Sequence, residues 1–283
     1  TFTRSKTRSA PVRDCQAKLG GDSSAGAAIL VNSGNSNAFT GHYGQTSVAE
    51  ICAAVADITG LPEARIFTAS TGVIGEPLPH DRIIAQIKDL NDGLDATALE
   101  AAAEAIMTTD TFAKGASAEV TIGGETVSIA GIAKGSGMIA PDMATMLVYL
   151  FTDAMVAQPK LQAMLSGITN KTFNCITVDS DTSTSDTVLL AATGKSGADA
   201  SHDAGFADAL QRVMTNLAHQ VVRDGEGATK FVEIEITGAS DDRDAHRAAA
   251  AAAVVEASKA GGKVASALSA GASLRSALKH API

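Results

Sequence analysis

A threonine at the entrance to a strand is the first residue in this chain with the surroundings of a nucleophile. The stretch Lys134-Gly-Ser-Gly-Met-Ile-Ala-Pro-Asp-Met-Ala-Thr-Met-Leu147 leads a glycine-rich loop into an apolar strand through Thr145. Gly135 and Gly137 permit close backbone approach and positive φ, and Pro141 stiffens the turn before Ala144-Thr145, so the elbow can present one hydroxyl. The usual activating partners are missing: no Gly-x-Ser-x-Gly elbow surrounds a serine, and no histidine sits in a catalytic motif. The simplest remaining base for a threonine is its own α-amine, whose ordinary pKa of roughly 7.7–8.0 lies near neutral pH. That chemistry requires a cut between Ala144 and Thr145. The same hydroxyl can make it by attacking the Ala144 carbonyl, giving an ester that water opens. An ordinary loop-to-strand connection is the competing reading of these residues. A second run, Ser70-Thr71-Gly72, follows an apolar strand and offers hydroxyls and amides that could stabilise a developing oxyanion. A turn satisfied by its own side chains is its alternative.

Other clusters are less specific. Asp179-Ser-Asp-Thr-Ser-Thr-Ser-Asp186 is dense in hard oxygen ligands but lacks the glycine and terminal glutamate of a calcium loop, so it reads as a hydrogen-bonded loop beside the active site. His42, His80, His202, His219, His246 and His280 show no paired metal spacing, and no metal is expected. Cys15, Cys52 and Cys175 are odd in number and widely spaced, which points to a reducing cytoplasm rather than a disulfide framework. Cys175 reads as a small core residue in an apolar strand.

The elements that must position these groups follow from hydrophobic period and turn residues. Ala28 to Asn32 reads as a strand entering a polar loop, Ser47 to Ile58 as a helix, and Arg65 to Ala69 as a strand ending at Ser70. Helices are expected from Asp81 to Leu90 and from Thr97 to Met107. Ser117 to Ile122 and Thr126 to Ala130 form a hairpin around Gly123-Gly124. Strands follow at Met146 to Phe151, Cys175 to Val178, Thr187 to Ala191 and Phe231 to Thr237, with helices from Lys160 and from Ala204 to Val222. The class is layered α/β. Beyond Arg247 the chain turns Ala-, Ser- and Gly-rich, with almost no large apolar residue to anchor a helix face; a surface helix and a disordered tail both fit.

The 283 residues carry a formal charge of −9, with 45% hydrophobic and 4% aromatic residues. That balance supports a real core and argues against nucleic acid or an anionic membrane as partner. The longest apolar run, Ala248 to Val255, is far short of the roughly 18 residues of a membrane span. The chain opens on Thr1 rather than Met, so it reads as beginning inside a longer parent.

Six blocks in order resemble the ornithine acetyltransferase family, the bifunctional glutamate N-acetyltransferases of arginine biosynthesis. They are NSGNSNAFTG (32–41), ASTGVIGEPL (69–78), IMTTDTFAK (106–114), KGSGMIAPDMATML (134–147), VDSDTSTSDT (178–187) and RDGEGATK (223–230). The likeness runs from about Phe2 to Arg247. It implies an α/β fold with sheets sandwiched between helix layers, and self-cleavage before Thr145 into chains of 1–144 and 145–283, assembled as α2β2. It further implies acetyl transfer from N-acetylornithine to glutamate, releasing ornithine and N-acetylglutamate. By position, Thr145 resembles the nucleophile, Thr71 and Gly72 the oxyanion-hole pair, and Thr111, Lys134, Thr145 and Glu226 the substrate-binding residues. Glu226 would face the ammonium of ornithine, and Lys134 or Thr111 its carboxylate. Asn35 and Asn37 would support the loop, or form a plain Asx-turn. No cofactor is implied, although some relatives accept acetyl-CoA as donor. A threonine amidohydrolase or aminopeptidase on the same scaffold, with water as acceptor, and an inactive fragment are the alternatives.

Overall fold

A computed structural model describes residues 1–139, 146–179, 183–259, 263–271 and 279–282. Its helices are α1 (Ala10–Lys18), α2 (Gly41–Thr59), α3 (His80–Ile84), α4 (Ile87–Asp92), α5 (Leu99–Ala105), α6 (Gln158–Lys171), α7 (Ala204–Arg223) and α8 (Asp242–Lys259). Its strands are β1 (Ala28–Asn35), β2 (Ile66–Val73), β3 (Lys114–Ile122), β4 (Glu125–Lys134), β5 (Leu147–Thr152), β6 (Ile176–Thr177), β7 (Thr187–Ala192), β8 (Ala228–Thr237), β9 (Lys263–Gly271) and β10 (Lys279–Pro282).

The central sheet has the order β3-β4-β5-β7, antiparallel except for the parallel β5/β7 pair. Successive side chains of β5 point to opposite faces, and both faces are covered. Val148 and Leu150 pack with Val213, Leu217 and Val221 of α7, whereas Leu147 and Tyr149 pack with Phe67 of β2, Val12 and Cys15 of α1, and Ala103. This explains why β5 is apolar without alternation. Each fully buried large aliphatic side chain contributes about 1.5–3 kcal/mol, so this doubly covered strand anchors the fold.

Helix α7 recurs apolar at Phe206, Leu210, Val213, Met214, Leu217 and Val221, one helical stripe. Asp203 caps it, accepting the Phe206 amide at 2.7 Å. On the far side, β1 and β2 pair in parallel under α2, whose Val48, Ile51 and Val55 meet Ile66 and Leu30. A further sheet has the order β10-β8-β9-β6.

Several expectations shift. The strand at 65–69 continues through Ser70, Thr71 and Gly72 to Val73, because β1 keeps pairing with it as far as Asn35. The helix expected from Asp81 to Leu90 is two short helices broken at Ala85-Gln86. Cys175 sits in a short 3-10 turn, half-buried, with its thiol donating to the Asn170 carbonyl at 3.1 Å. Beyond Arg247, helix continues to Lys259. Ala245, Ala249 and Ala253, four residues apart, are buried, and Ala249 and Ala253 pack on Val232 and Ile234 of β8. Small residues here allow close approach rather than leaving the helix without a face. Among the described residues, no helix is long and apolar enough to cross a membrane.

Candidate active site

The end of β2 places Thr71 and Gly72 beside the end of β4. Gly72 has φ of 125° and pairs with Gly34 of β1, where Asn35 registers against both Thr71 and Val73. A Cβ on Gly72 would lie 2.3 Å from the Gly34 carbonyl carbon and 2.7 Å from the Asn35 nitrogen, so only glycine fits. The Thr71 hydroxyl is buried and accepts a hydrogen bond from Lys134 Nζ at 3.1 Å. Lys134 also donates to Thr108 Oγ1 at 2.7 Å and stands 3.9 Å from Asp110. At 2% exposure it is not the solvated charge that a lysine ordinarily is. Burial holds its ammonium below the ordinary pKa, against the opposing pull of Asp110. Because the ammonium has filled an acceptor site on Thr71, the threonine's own proton is free to point elsewhere.

The polar loop after β1 is braced by its asparagines. Asn35 Oδ1 accepts the Asn37 amide at 2.8 Å in an Asx-turn, while its Nδ2 donates to the Glu76 carbonyl at 3.1 Å. Asn37, with φ of 47°, donates to the Gly44 carbonyl at 3.1 Å. Turn formation and loop support are therefore the same set of bonds.

Three residues absent from the sequence reading complete the surroundings. Lys114, fully buried, bridges Asp110 at 2.7 Å and Asp224 at 2.6 Å. Asp110 also accepts the amides of Gly135 at 2.6 Å and Thr108 at 3.1 Å. Burial pushes its carboxyl up, but Lys114 and the Gly135 amide outweigh that and leave it below its ordinary pKa. Asp224 accepts both the amide and the hydroxyl of Thr111, the amide at 2.9 Å. The signal for this network was present as the i, i+4 spacing of Asp110 and Lys114 within one of the six blocks.

Glu226 is exposed, and its amide donates to the Ser136 carbonyl at 2.6 Å. Its Oε2 lies 2.8 Å from where a Cβ on Gly137 would stand, so the carboxylate rests against that glycine. Thr109 and Ser136 share a hydroxyl hydrogen bond at 2.6 Å. Thr71, Lys134, Thr108 and Asp110 thus form one bonded group, which Thr111 joins through Asp224 and Lys114; Glu226 is bonded to Ser136, the neighbour of Gly135.

Ala144 and Thr145 lie outside the described residues, as does 180–182. The residues flanking them are held from one segment. Asp179 accepts the amides of Met138 at 2.5 Å and Ile139 at 2.7 Å, and Asp186 accepts the amide of Met146 at 3.0 Å. Asp186 is fully buried; burial drives its carboxyl well above the ordinary range, with the Met146 amide, the Ser183 and Thr3 hydroxyls and Lys134 pulling back. At both described ends, this acidic segment accepts backbone amides.

Away from the site, Glu50, His80 and Asp81 bring three ligand atoms within 4.8 Å of one another, a grouping that a search for paired histidines does not find. Glu50 and Asp81 are exposed and His80 is half-buried, and His80 is occupied by Glu50 at 2.8 Å and Ser47 at 3.0 Å. The cavity of about 670 Å³ between β7 and the 23–27 loop shares none of the site residues.

The ArgJ family model matches residues 1–262. The chain is 74% identical over 244 residues to the arginine biosynthesis bifunctional protein ArgJ of Ruegeria pomeroyi, covering 86% of this chain and 60% of that protein. It is 48% identical over 257 residues to the protein of the same name from Agrobacterium fabrum, covering 88% and 62%. It therefore spans about three fifths of the length of these curated relatives. A crystal structure of the Bacillus halodurans protein of that name is 37% identical, with a TM-score of 0.45, covering 50% of this chain and 74% of that one.

Proposed function

This chain belongs to the ArgJ family, and from that premise we propose that it transfers acetyl from N-acetylornithine to glutamate through an acetyl ester on Thr145, after cutting itself before that residue. The observation that carries this reading is the Lys134 to Thr71 hydrogen bond beside the Gly72 close approach. It leaves the Thr71 proton available to an oxygen that becomes negative, and a donor of that kind contributes about 2.7–4 kcal/mol in other acyl-transfer enzymes.

In the proposed sequence the Thr145 hydroxyl attacks the Ala144 carbonyl, the peptide C–N bond breaks, and the hydroxyl proton ends on the new amine. Water then opens the ester. The freed amine next serves as base while the hydroxyl attacks the acetyl carbonyl of N-acetylornithine, and ornithine leaves with the proton. Glutamate's amine takes the acetyl group from the ester and regenerates the hydroxyl. Thr111, Lys134 and Glu226 are assigned to the substrate, with Glu226 toward its ammonium. Two of the three Lys134 protons go to Thr71 and Thr108, so orienting Thr71 is part of its role, and one donor is left for a substrate carboxylate. No cofactor enters this exchange; acetyl-CoA as alternative donor, α2β2 assembly and a cytoplasmic setting complete the proposal. The free cysteines support a reducing compartment.

Mass spectrometry of the purified chain tests the first step: two fragments meeting between Ala144 and Thr145 are expected, and a single intact mass for Thr145→Ala. A Thr145→Ala chain that still splits there removes the mechanism. Incubation with N-acetylornithine, with and without glutamate, tests the second. N-acetylglutamate is expected; acetate alone would identify a hydrolase.

A further inference from the structure

Two of the residues assigned to the substrate, Thr111 and Glu226, sit on separate segments, 108–111 and 224–226, and one buried carboxylate lies between them in the bonding. Asp224 follows α7 directly and is 6% exposed. It accepts the amide of Thr111, the hydroxyl of Thr111, and Lys114 Nζ at 2.6 Å. Lys114 in turn holds Asp110, which grips the Gly135 amide. Two residues beyond Asp224, Glu226 is pinned through its amide to the Ser136 carbonyl.

The direction of the Thr111 hydrogen bond matters. A hydroxyl has one proton, and here a carboxylate takes it, so the oxygen of Thr111, an exposed residue, has only lone pairs to offer any other partner. It is thereby an acceptor, suited to an ammonium or amide N–H and unsuited to a carboxylate. Glu226, the other exposed group of this set, is an acceptor too.

We propose that Asp224, braced by Lys114 and two residues before Glu226, is a positioning residue that fixes Thr111 as an acceptor, so that the two acceptors Thr111 and Glu226 select the N–H-bearing, cationic part of an amino-acid substrate. The proposal rests on the functional reading above and adds to it the polarity of Thr111. A buried pair broken on one side leaves an uncompensated charge, so the change of choice is isosteric. Asp224→Asn keeps the shape but turns an amide donor toward Thr111 or Lys114.

The test measures self-cleavage, KM and kcat for N-acetylornithine, and ornithine binding by calorimetry, for wild type, Asp224→Asn, Thr111→Val and the double variant. KM is expected to rise about tenfold in each single variant with kcat changed by less than about threefold, the size of losing a hydrogen bond to a charged group. Self-cleavage should persist, and the double variant should be no worse than Asp224→Asn alone, because both remove the same acceptor. A merely structural role would lower stability and leave the KM of the folded enzyme unchanged, overturning the proposal. Additive losses would overturn it as well. Should Asp224→Asn fail to fold, Thr111→Val decides alone: unchanged KM refutes the assignment. A wild-type chain that neither turns over N-acetylornithine nor binds ornithine would sink the functional reading along with this one, whereas an active wild type with unaffected variants sinks only this one.

Discussion

Replacing Gly72 with alanine separates two costs that meet at the end of β2, where the oxyanion hole is proposed. The new Cβ would stand 2.3 Å from the Gly34 carbonyl carbon, while ordinary contact begins at 3.4 Å, so β1 must retreat by about 1 Å. Backbone is the obstacle, and no flexible side chain can yield. Overpacking of this sort costs about 1–3 kcal/mol, and a residue with a side chain held at φ of 125° adds about 1–3 kcal/mol of strain. The sum, about 2–6 kcal/mol, is a large share of the roughly 5–15 kcal/mol by which domains are stable. Gly34 supplies the control, since it is the register partner of Gly72, has φ of 103°, and meets nothing within 4 Å of an added Cβ. Gly34→Ala should therefore show strain alone. Urea unfolding of both variants is expected to place Gly72→Ala below Gly34→Ala by about 1–3 kcal/mol. If Thr71 and Gly72 are the oxyanion donors of the proposed acetyl transfer, a displacement near 1 Å there should also lower that transfer by about 100-fold. Equal stability for the two variants, or full turnover by Gly72→Ala, would refute the argument that this glycine is there for close approach.

Gly137→Ala should behave differently, because the atom in its way is Glu226 Oε2 at 2.8 Å, the far end of a flexible side chain. Stability is expected to change by less than about 0.5 kcal/mol while KM for N-acetylornithine rises; an unchanged KM would remove Glu226 from the substrate's surroundings. Asp186→Asn tests the buried carboxyl whose folded-state pKa stands well above its ordinary 3.8. A raised folded-state value means that the stability held in the neutral form is complete below the unfolded pKa and is lost as pH rises through the folded one. The asparagine variant is neutral throughout, so its thermal midpoint should gain on wild type progressively from about pH 4 upward. A difference that stays flat with pH would contradict the assignment.

What the sequence made legible was whatever depends on local period and turn chemistry. The hairpin around Gly123-Gly124, helix α7 with its apolar stripe, and the unbroken apolar run of β5 are each written in neighbouring residues. The six blocks sufficed for the family, and they contain Thr71, Gly72, Lys134 and Glu226. Less legible was where an element stops. Strand β2 runs past Ala69 because a partner 38 positions away, Asn32 against Ser70, keeps bonding it. Helix α8 has an alanine face whose value appears only when β8 lies beneath it.

The charges divide in the same way. Composition determined that Lys114, Lys134, Asp110, Asp186 and Asp224 exist, and ordinary expectation placed such groups in water. Tertiary structure alone decided that Lys114 and Asp110 are dry, that Lys114 also meets Asp224, that Lys134 donates to Thr71, and that the Thr111 proton goes to Asp224. The physical reason is range: a helix or turn is settled by bonds between residues a few positions apart, whereas burial and the direction of a side-chain hydrogen bond depend on groups brought together across more than 60 positions between Thr71 and Lys134, and 113 between Thr111 and Asp224.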